Sequence, residues 1–269
     1  MKPILAITIA AAALGAHPAS AQFSDGVPMP EVTWDVELGR EVPLERSFTD
    51  HTGERVRLGE LITGDKPVVL ALVYYECPML CNLVMGGLVR ALKALPLTVG
   101  EDFDVISISI DPEETPELAA GKRAGYVERY DRGDDGEGWH FLVGEGAEIE
   151  AVAEAVGFGY TFVPGTGEYA HAAGITLLSP AGRVSHVLFG TEFSARDLRL
   201  ALVESSAGRL GTTVDKILLR CFQYDPAKGQ YGLAILTVIR LGGGLTVLLL
   251  GGFIGLSLRR DRSRLVTSP

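Results

Sequence analysis

The sequence lacks the motifs of several large enzyme classes. It contains no phosphate-binding glycine loop, no nucleotide fingerprint and no candidate catalytic acid, and we exclude the enzyme classes that depend on them. Positive charge is also scarce, because 24 Lys and Arg stand against 34 Asp and Glu and give a net charge of −10. A surface of this sign repels phosphate backbones, so we expect no nucleic-acid partner. A basic or neutral protein, or a metal cation, suits it better.

The N-terminal residues 1–21 have the pattern of a cleavable signal peptide. Lys2 supplies the positive start, residues 4–16 are apolar, and the small residues ASA at 19–21 form a cleavage signal. The apolar stretch is too short to span a bilayer comfortably. No cysteine lies near the cleavage point, so a lipoprotein anchor is not supported. The sequence therefore predicts an exported protein.

A longer hydrophobic run lies near the C-terminus. Residues 241–258 carry no charge, and as a helix they would reach about 27 Å, close to the thickness of a hydrocarbon core. An arginine-rich tail at 259–269 follows and marks the cytoplasmic side. We predict a transmembrane helix over 233–258, with a buried core helix as the alternative. The domain would then lie on the periplasmic side of the cytoplasmic membrane, with the N-terminus outside and the C-terminus inside.

Between these segments the chain has room for one α/β domain of roughly 210 residues or less. We place this domain at 46–210, after an N-terminal extension at 22–45 and before a juxtamembrane segment at 211–232. The apolar, β-branched runs at 67–75 and 103–110 predict strands buried on both faces. The other predicted elements are a hairpin at 48–58, helices at 80–95, 116–130, 147–156 and 194–210, and strands at 139–143, 172–178 and 183–189. This order favours a thioredoxin-like α/β sandwich, in which helices flank a central mixed sheet.

Cysteine is rare, and two of the three cysteines lie four residues apart where a buried strand meets a helix. Pro78 is predicted to occupy the first helical position, where its missing N–H costs nothing. A thiol at a helix N-terminus loses proton affinity in the field of the helix dipole. Cys77 and Cys81 could therefore close a disulfide or chelate a soft ion. A plain stabilising disulfide is the alternative, although so short a loop contributes little chain entropy.

His171 is the candidate third group at this site. It precedes an apolar strand, at the sheet edge where a thioredoxin-like fold presents a loop facing its cysteines. Two thiolates and one neutral imidazole form a three-coordinate soft site that suits Cu(I). A hydrogen-bonded loop histidine is the alternative interpretation. We expect structural roles for the remaining histidines outside the signal peptide, His51, His140 and His186.

The segments YYECPMLC, SISIDPEETPE and HAAGITLLSPAGRVSHVLFG resemble the Sco/SenC family over roughly residues 40–210. The resemblance implies a thioredoxin-like fold, a membrane anchor outside the cytoplasm, and one copper ion bound by Cys77, Cys81 and His171. It also implies a role in assembling the CuA centre of cytochrome c oxidase subunit II. The chain departs from the usual family pattern in Asn82, where relatives have Pro, in Ala170, where many have Asp, and in its C-terminal anchor.

Two functions of different classes follow. The first is a membrane-tethered copper chaperone that receives copper from an upstream donor. The second is a thiol-disulfide oxidoreductase that reduces the oxidase cysteines, in which Cys77 attacks, Cys81 resolves and the two form a redox-active disulfide, kept reduced by an upstream thiol reductant. A redox or copper sensor is a weaker third hypothesis. The sequence leaves open whether the protein is an enzyme and what Cys221 does, whether as an inert core residue, an exchange partner or an extra copper ligand.

Overall fold

The computed structural model describes residues 32–132, 136–206, 222–225, 230–233, 243–251 and 253. The predicted signal peptide, Cys221 and the basic tail lie outside the described residues. Of the predicted span at 233–258, a helical segment at 243–251 is described. Among the described residues, no helix combines the length and the apolar character that crossing a membrane requires.

The elements follow one another in mixed order. They are β1 (Ser47–Asp50), β2 (Arg55–Arg57), α1 (Leu58–Leu61), β3 (Val68–Val73), α2 (Leu80–Lys93), β4 (Asp104–Ser109), α3 (Pro116–Tyr130), β5 (Trp139–Val143), α4 (Gly146–Ala155), β6 (Tyr160–Val163), β7 (Glu168–His171), β8 (Gly174–Leu178), β9 (Val184–Phe189), α5 (Ala195–Ser205), β10 (Phe222–Asp225) and β11 (Gln230–Leu233). The predicted buried strands and long helices are confirmed. The sequence analysis missed the short helix α1 and the hairpins β6–β7 and β10–β11.

Seven strands form one mixed sheet in the order β2-β1-β5-β4-β3-β8-β9. The central strands β3, β4 and β5 run parallel, whereas β1, β8 and β9 pair antiparallel with their neighbours. Every residue of β3 and β4 is buried, as expected of central parallel strands in a sheet flanked by helices. Helix α2 packs between α3 and α5. The α/β class and the mixed sheet with flanking helices are confirmed.

Parallel β3 and β4 end at the same edge of the sheet, and the loops after them meet there. The end of β3 is fixed through Tyr75, whose hydroxyl lies 3.0 Å from the carbonyl oxygen of Ser107 in β4 and 2.9 Å from that of Leu142 in β5. A buried hydroxyl with such partners ties three strands together. The loop that leads to Cys77 therefore starts from a rigid point.

The hairpin β6–β7 forms a separate two-stranded sheet and pairs Tyr160 with His171. An N-terminal strap, residues 33–35, holds the approach to this hairpin: the Asp35 N–H donates to the Gly157 carbonyl at 2.8 Å, and the Gly159 N–H donates to the Thr33 carbonyl at 2.9 Å. Gly157 has a φ of +68°, and a Cβ there would lie 1.7 Å from the Asp35 oxygen. Only glycine permits so close an approach.

Candidate metal centre

Cys77 and Cys81 are both buried free thiols on either side of the start of α2. The helix begins at Leu80 with Met79 as its N-cap, so the prediction that Pro78 occupies the first helical position was wrong. Cys77 lies before the helix and Cys81 in its first turn. The Cys81 N–H donates to the Cys77 sulfur at 3.3 Å. The N–H of Cys81 has no partner within the helix because it lies in the first turn, and the Met79 side chain does not cap it. The Cys77 sulfur takes the place of that missing partner.

The two thiols differ in proton affinity. Burial raises the pKa of Cys77, but hydrogen bonds from the Cys81 and Met79 N–H groups, the Tyr74 hydroxyl and the Cys81 thiol outweigh it, and the net pKa is lowered. Burial raises the pKa of the Cys81 thiol. Near neutral pH Cys77 is therefore the more readily ionised sulfur, and Cys81 holds its proton.

His171 ends β7 with its ring against Cys81. Its Nε2 lies 3.3 Å from the Cys81 Sγ, and its Nδ1 lies 2.9 Å from the carbonyl oxygen of Ala172. A carbonyl oxygen can only accept, so Nδ1 carries the proton and Nε2 presents its lone pair to the cysteine. Burial lowers the pKa of His171, which keeps the ring neutral. The Ala172 carbonyl orients the ring, a role for which many metal sites use a carboxylate.

The structure brings all three predicted site residues together, with Cys81 in the middle. The Cys81 thiol lies within hydrogen-bonding reach of both the Cys77 sulfur and the His171 Nε2. Two cysteines and a neutral imidazole with a free Nε2 are donors that soft ions such as Cu(I) prefer. Among the described residues, no three Cys, His, Asp or Glu side chains already stand grouped around one point as a metal cluster. The residue types of this site therefore fit copper. Cys81 contacts each of the other two residues, Cys77 and His171.

Glu114 is a site residue that the sequence analysis missed. From the loop after β4, its carboxylate accepts the N–H of Tyr75 at 2.8 Å and the N–H of Glu76 at 2.6 Å. It also accepts the Ser109 hydroxyl. Burial raises the pKa of Glu114, and these donors oppose the shift. The carboxylate fixes the two residues before Cys77, and the parallel pairing of β3 with β4 was the signal that could have found it.

Asn82 bridges the cysteine loop and α3. Its side-chain amide donates to the Cys77 carbonyl at 2.8 Å, while its oxygen accepts the Tyr126 hydroxyl at 3.1 Å and the Lys122 ammonium at 3.3 Å. At the position where the resemblance implied Pro, this chain therefore has a side chain that joins the cysteine loop to α3 by hydrogen bonds.

Three large apolar side chains near the cysteines are exposed. Met79 is 66% exposed, Leu83 47% and Phe162 49%. Met79 is the N-cap of α2 and lies between the two cysteines in the chain, and Leu83 follows Cys81 on the helix. On the hairpin, Phe162 packs on Tyr169, which packs on Tyr74 at a centroid distance of 5.7 Å. We call these three exposed side chains the apolar rim. Large apolar side chains that remain exposed near a site are typical of contact surfaces.

These features define an α/β protein with a buried dithiol next to a neutral histidine. The family model of SCO1/SenC matches residues 41–203, more than half of the chain, and the chain belongs to this family. No curated protein matches the sequence significantly.

Two solved structures share the fold of this chain. Two proteins of Aquifex aeolicus VF5 are provisionally described as electron transfer and electron transport proteins. The first is 24% identical, with a TM-score of 0.57, over 64% of this chain and 96% of that one. The second is 25% identical, with a TM-score of 0.53, over 64% and 99%. Bradyrhizobium japonicum ScoI with copper bound is 25% identical over 64% and 99%, with a TM-score of 0.43.

Proposed function

We propose that the protein is a copper chaperone that carries one copper ion on Cys77, Cys81 and His171. The observation that supports this most directly is the 3.3 Å approach of the His171 Nε2 to the Cys81 Sγ, with Nδ1 occupied by a backbone carbonyl. The imidazole is held in the tautomer that a metal ligand needs, next to a sulfur. Copper here is cargo, and its chemistry in this protein is exchange between sulfur and nitrogen ligands.

The expected client is the CuA site of cytochrome c oxidase subunit II, as family membership implies. Delivery requires that a partner reach the bound ion. The apolar rim stands beside the cysteines and supplies a contact surface, and the acidic charge of the chain suits a basic or neutral partner. An upstream copper donor would use the same face.

Tethering to the cytoplasmic membrane belongs to the same proposal. It rests on the signal-peptide pattern at 1–21 and on the uncharged run at 241–258 with its arginine-rich tail. We expect the full-length chain to fractionate with membranes, and added protease to digest the domain in spheroplasts. A chain found in the soluble fraction, or a domain that is protected in intact spheroplasts, would contradict this placement.

Thiol-disulfide exchange is the second candidate function. The lowered pKa of Cys77 beside the raised pKa of Cys81 favours it, because an oxidoreductase needs one attacking thiolate and one protonated resolving thiol. In this function His171 would only influence the thiols.

A copper titration separates the two. The full-length reduced protein is titrated with Cu(I) against a competing chelator, together with His171→Ala and, as a matched control, His51→Ala in the β1–β2 turn. We expect one tightly held copper per chain, an affinity at least tenfold lower (about 1.4 kcal/mol) in His171→Ala, and no change in His51→Ala. Weak binding, or binding indifferent to His171, would rule out the three-ligand site and leave thiol exchange as the leading function.

A further inference from the structure

A small cavity of about 10 Å³ adjoins Cys81. Its lining includes Asn82, Lys122 and Tyr126, and Lys122 is half-buried. A space of this size holds no more than about one water molecule. Bulk water therefore does not fill the space that the Cys81 thiol and the Lys122 side chain share, and charges on these two groups are screened less than charges on exposed groups.

Hydrogen bonds hold the Lys122 ammonium at this cavity. It donates to the side-chain oxygen of Asn82 at 3.3 Å, and the buried Tyr126 hydroxyl donates to the same oxygen at 3.1 Å. The Asn82 amide nitrogen donates to the Cys77 carbonyl at 2.8 Å, and this bond fixes which end of the amide faces Lys122. Asn82 thus joins the ammonium to the loop that carries both cysteines.

The cysteine loop also contacts a group of the opposite charge. The Glu114 carboxylate accepts the N–H groups of Tyr75 and Glu76, directly before Cys77. A carboxylate opposes further negative charge at the cysteines, whereas an ammonium favours it. The charge of Lys122 therefore decides how well the site accepts an ion that leaves its ligands with excess negative charge.

We infer that Lys122 is a specificity-determining residue that favours Cu(I) over divalent ions at this site, an inference that rests on the proposed function. Two thiolates and a neutral imidazole around Cu(I) carry one net negative charge, and the same ligands around Zn(II) carry none. The ammonium stabilises the charged complex and finds no net charge to stabilise in the neutral one. Zn(II) is the matched divalent ion, because it takes the same cysteine and histidine ligands.

The test compares two affinities of one chain. The full-length reduced protein is titrated with Cu(I) and, separately, with Zn(II), each against a competing chelator. Both ions displace the same thiol protons, so these protons cancel in the ratio of the two affinities. Lys122→Gln removes the charge and keeps a donor for Asn82. We expect it to lower the ratio of Cu(I) affinity to Zn(II) affinity about tenfold, or about 1.4 kcal/mol.

Two further variants serve as controls. Lys122→Arg keeps the positive charge and should leave the ratio within about twofold of the parent value. Lys93→Gln removes the same charge from an exposed lysine in the last turn of α2, about 18 Å from Cys81 along the helix axis. This distance exceeds the screening length at physiological salt, so Lys93→Gln should change the ratio less than about twofold.

The outcomes separate this inference from the proposed function. A parent chain that binds no copper would refute both. In a parent chain that binds copper, a ratio unchanged in Lys122→Gln, or lowered equally by Lys93→Gln, would overturn the inference alone. Equal losses of Cu(I) and Zn(II) affinity in Lys122→Gln would also overturn it, because the lysine would then hold the loop in shape and its charge would not select the ion.

Discussion

The two sides of the candidate metal centre are supported in different ways. The cysteines lie between β3, buried at every residue, and α2, which packs on two helices. His171 lies on a two-stranded hairpin outside the main sheet, and that hairpin exposes Thr161 and Phe162. Aromatic contacts hold this side, including Phe158 on His171 with centroids 5.7 Å apart. The sulfur donors are therefore fixed by the core, whereas the imidazole depends on a smaller, partly solvated unit.

The largest expected difference between the two sides is in stability. Leu88 on α2 is fully buried, and Leu88→Ala should lower the free energy of unfolding by about 2–5 kcal/mol. Phe162 is 49% exposed, so Phe162→Ala should cost about 1 kcal/mol or less. Urea denaturation of both variants and the parent protein makes the measurement. Equal losses would show that the hairpin belongs to the same cooperative core as α2.

Acid should lower the free energy of unfolding through His140, which lies in the main sheet that supports the cysteines. This residue pairs with Ile106 in β4, and burial, together with the charges of His51, Arg123 and Lys66, lowers its pKa to about 4. The unfolded chain, with a histidine pKa near 6.5, then binds more protons than the folded one between those values. Above about pH 6.5, His140 does not lower the free energy of unfolding. As the pH falls from there towards 4, the free energy of unfolding declines by an amount on the order of 3 kcal/mol.

His140→Gln tests this effect. The variant should flatten the decline in stability over that interval, and its stability at pH 7.5 reports the cost of the substitution itself. Hydrogen exchange should show the β4 and β5 amides losing protection as acid is added. An unchanged pH profile in the variant would assign the acid sensitivity to other groups.

The contrast between the two sides also explains what could be predicted from the sequence. The apolar run before Cys77 and the helical pattern after Cys81 are local signals, and both elements are confirmed. The hairpin that carries His171 has strands of only four residues each, and about half of these residues are polar. Its sequence therefore shows no hydrophobic periodicity that would have revealed it. The proximity of His171 to Cys81, and of Glu114 to Tyr75, depends on which strands become neighbours. Spacing along the chain carries no such information, and for His171 alone it came from the expected fold and the resemblance to a family.

The N-terminal strap should support the histidine side more than the cysteine side, although Trp34 also packs on Phe189 in β9 with centroids 5.5 Å apart. Trp34 packs on Phe158 at a centroid distance of 4.9 Å, and its Nε1 donates to the Val156 carbonyl at 2.9 Å. Trp34→Ala should cost about 2 kcal/mol and speed hydrogen exchange in the hairpin. The Cu(I) affinity of Trp34→Ala should fall towards that of His171→Ala. The equilibrium between the Cys77–Cys81 dithiol and oxidised glutathione should stay unchanged. Trp34→Phe, which keeps an aromatic ring, is the control, and a shifted glutathione equilibrium would show that the two sides are coupled.

The smallest effect is expected at Asn82, on the cysteine side. Its amide holds the Cys77 carbonyl at 2.8 Å, but Glu114 and the Cys81 N–H fix the same loop independently. Asn82→Ala should therefore cost about 1 kcal/mol. Asn82→Pro should cost no more, because residue 82 is the third of α2, where proline is tolerated and the N–H has no intrahelical partner. Thermal denaturation measures the stability of both variants, and their equilibrium with oxidised glutathione measures any change at the cysteines. A loss above about 3 kcal/mol in either would mean that this one amide, rather than the buried strand and helix, sets the position of Cys77, and the cysteine side would then depend on surface contacts as much as the hairpin does.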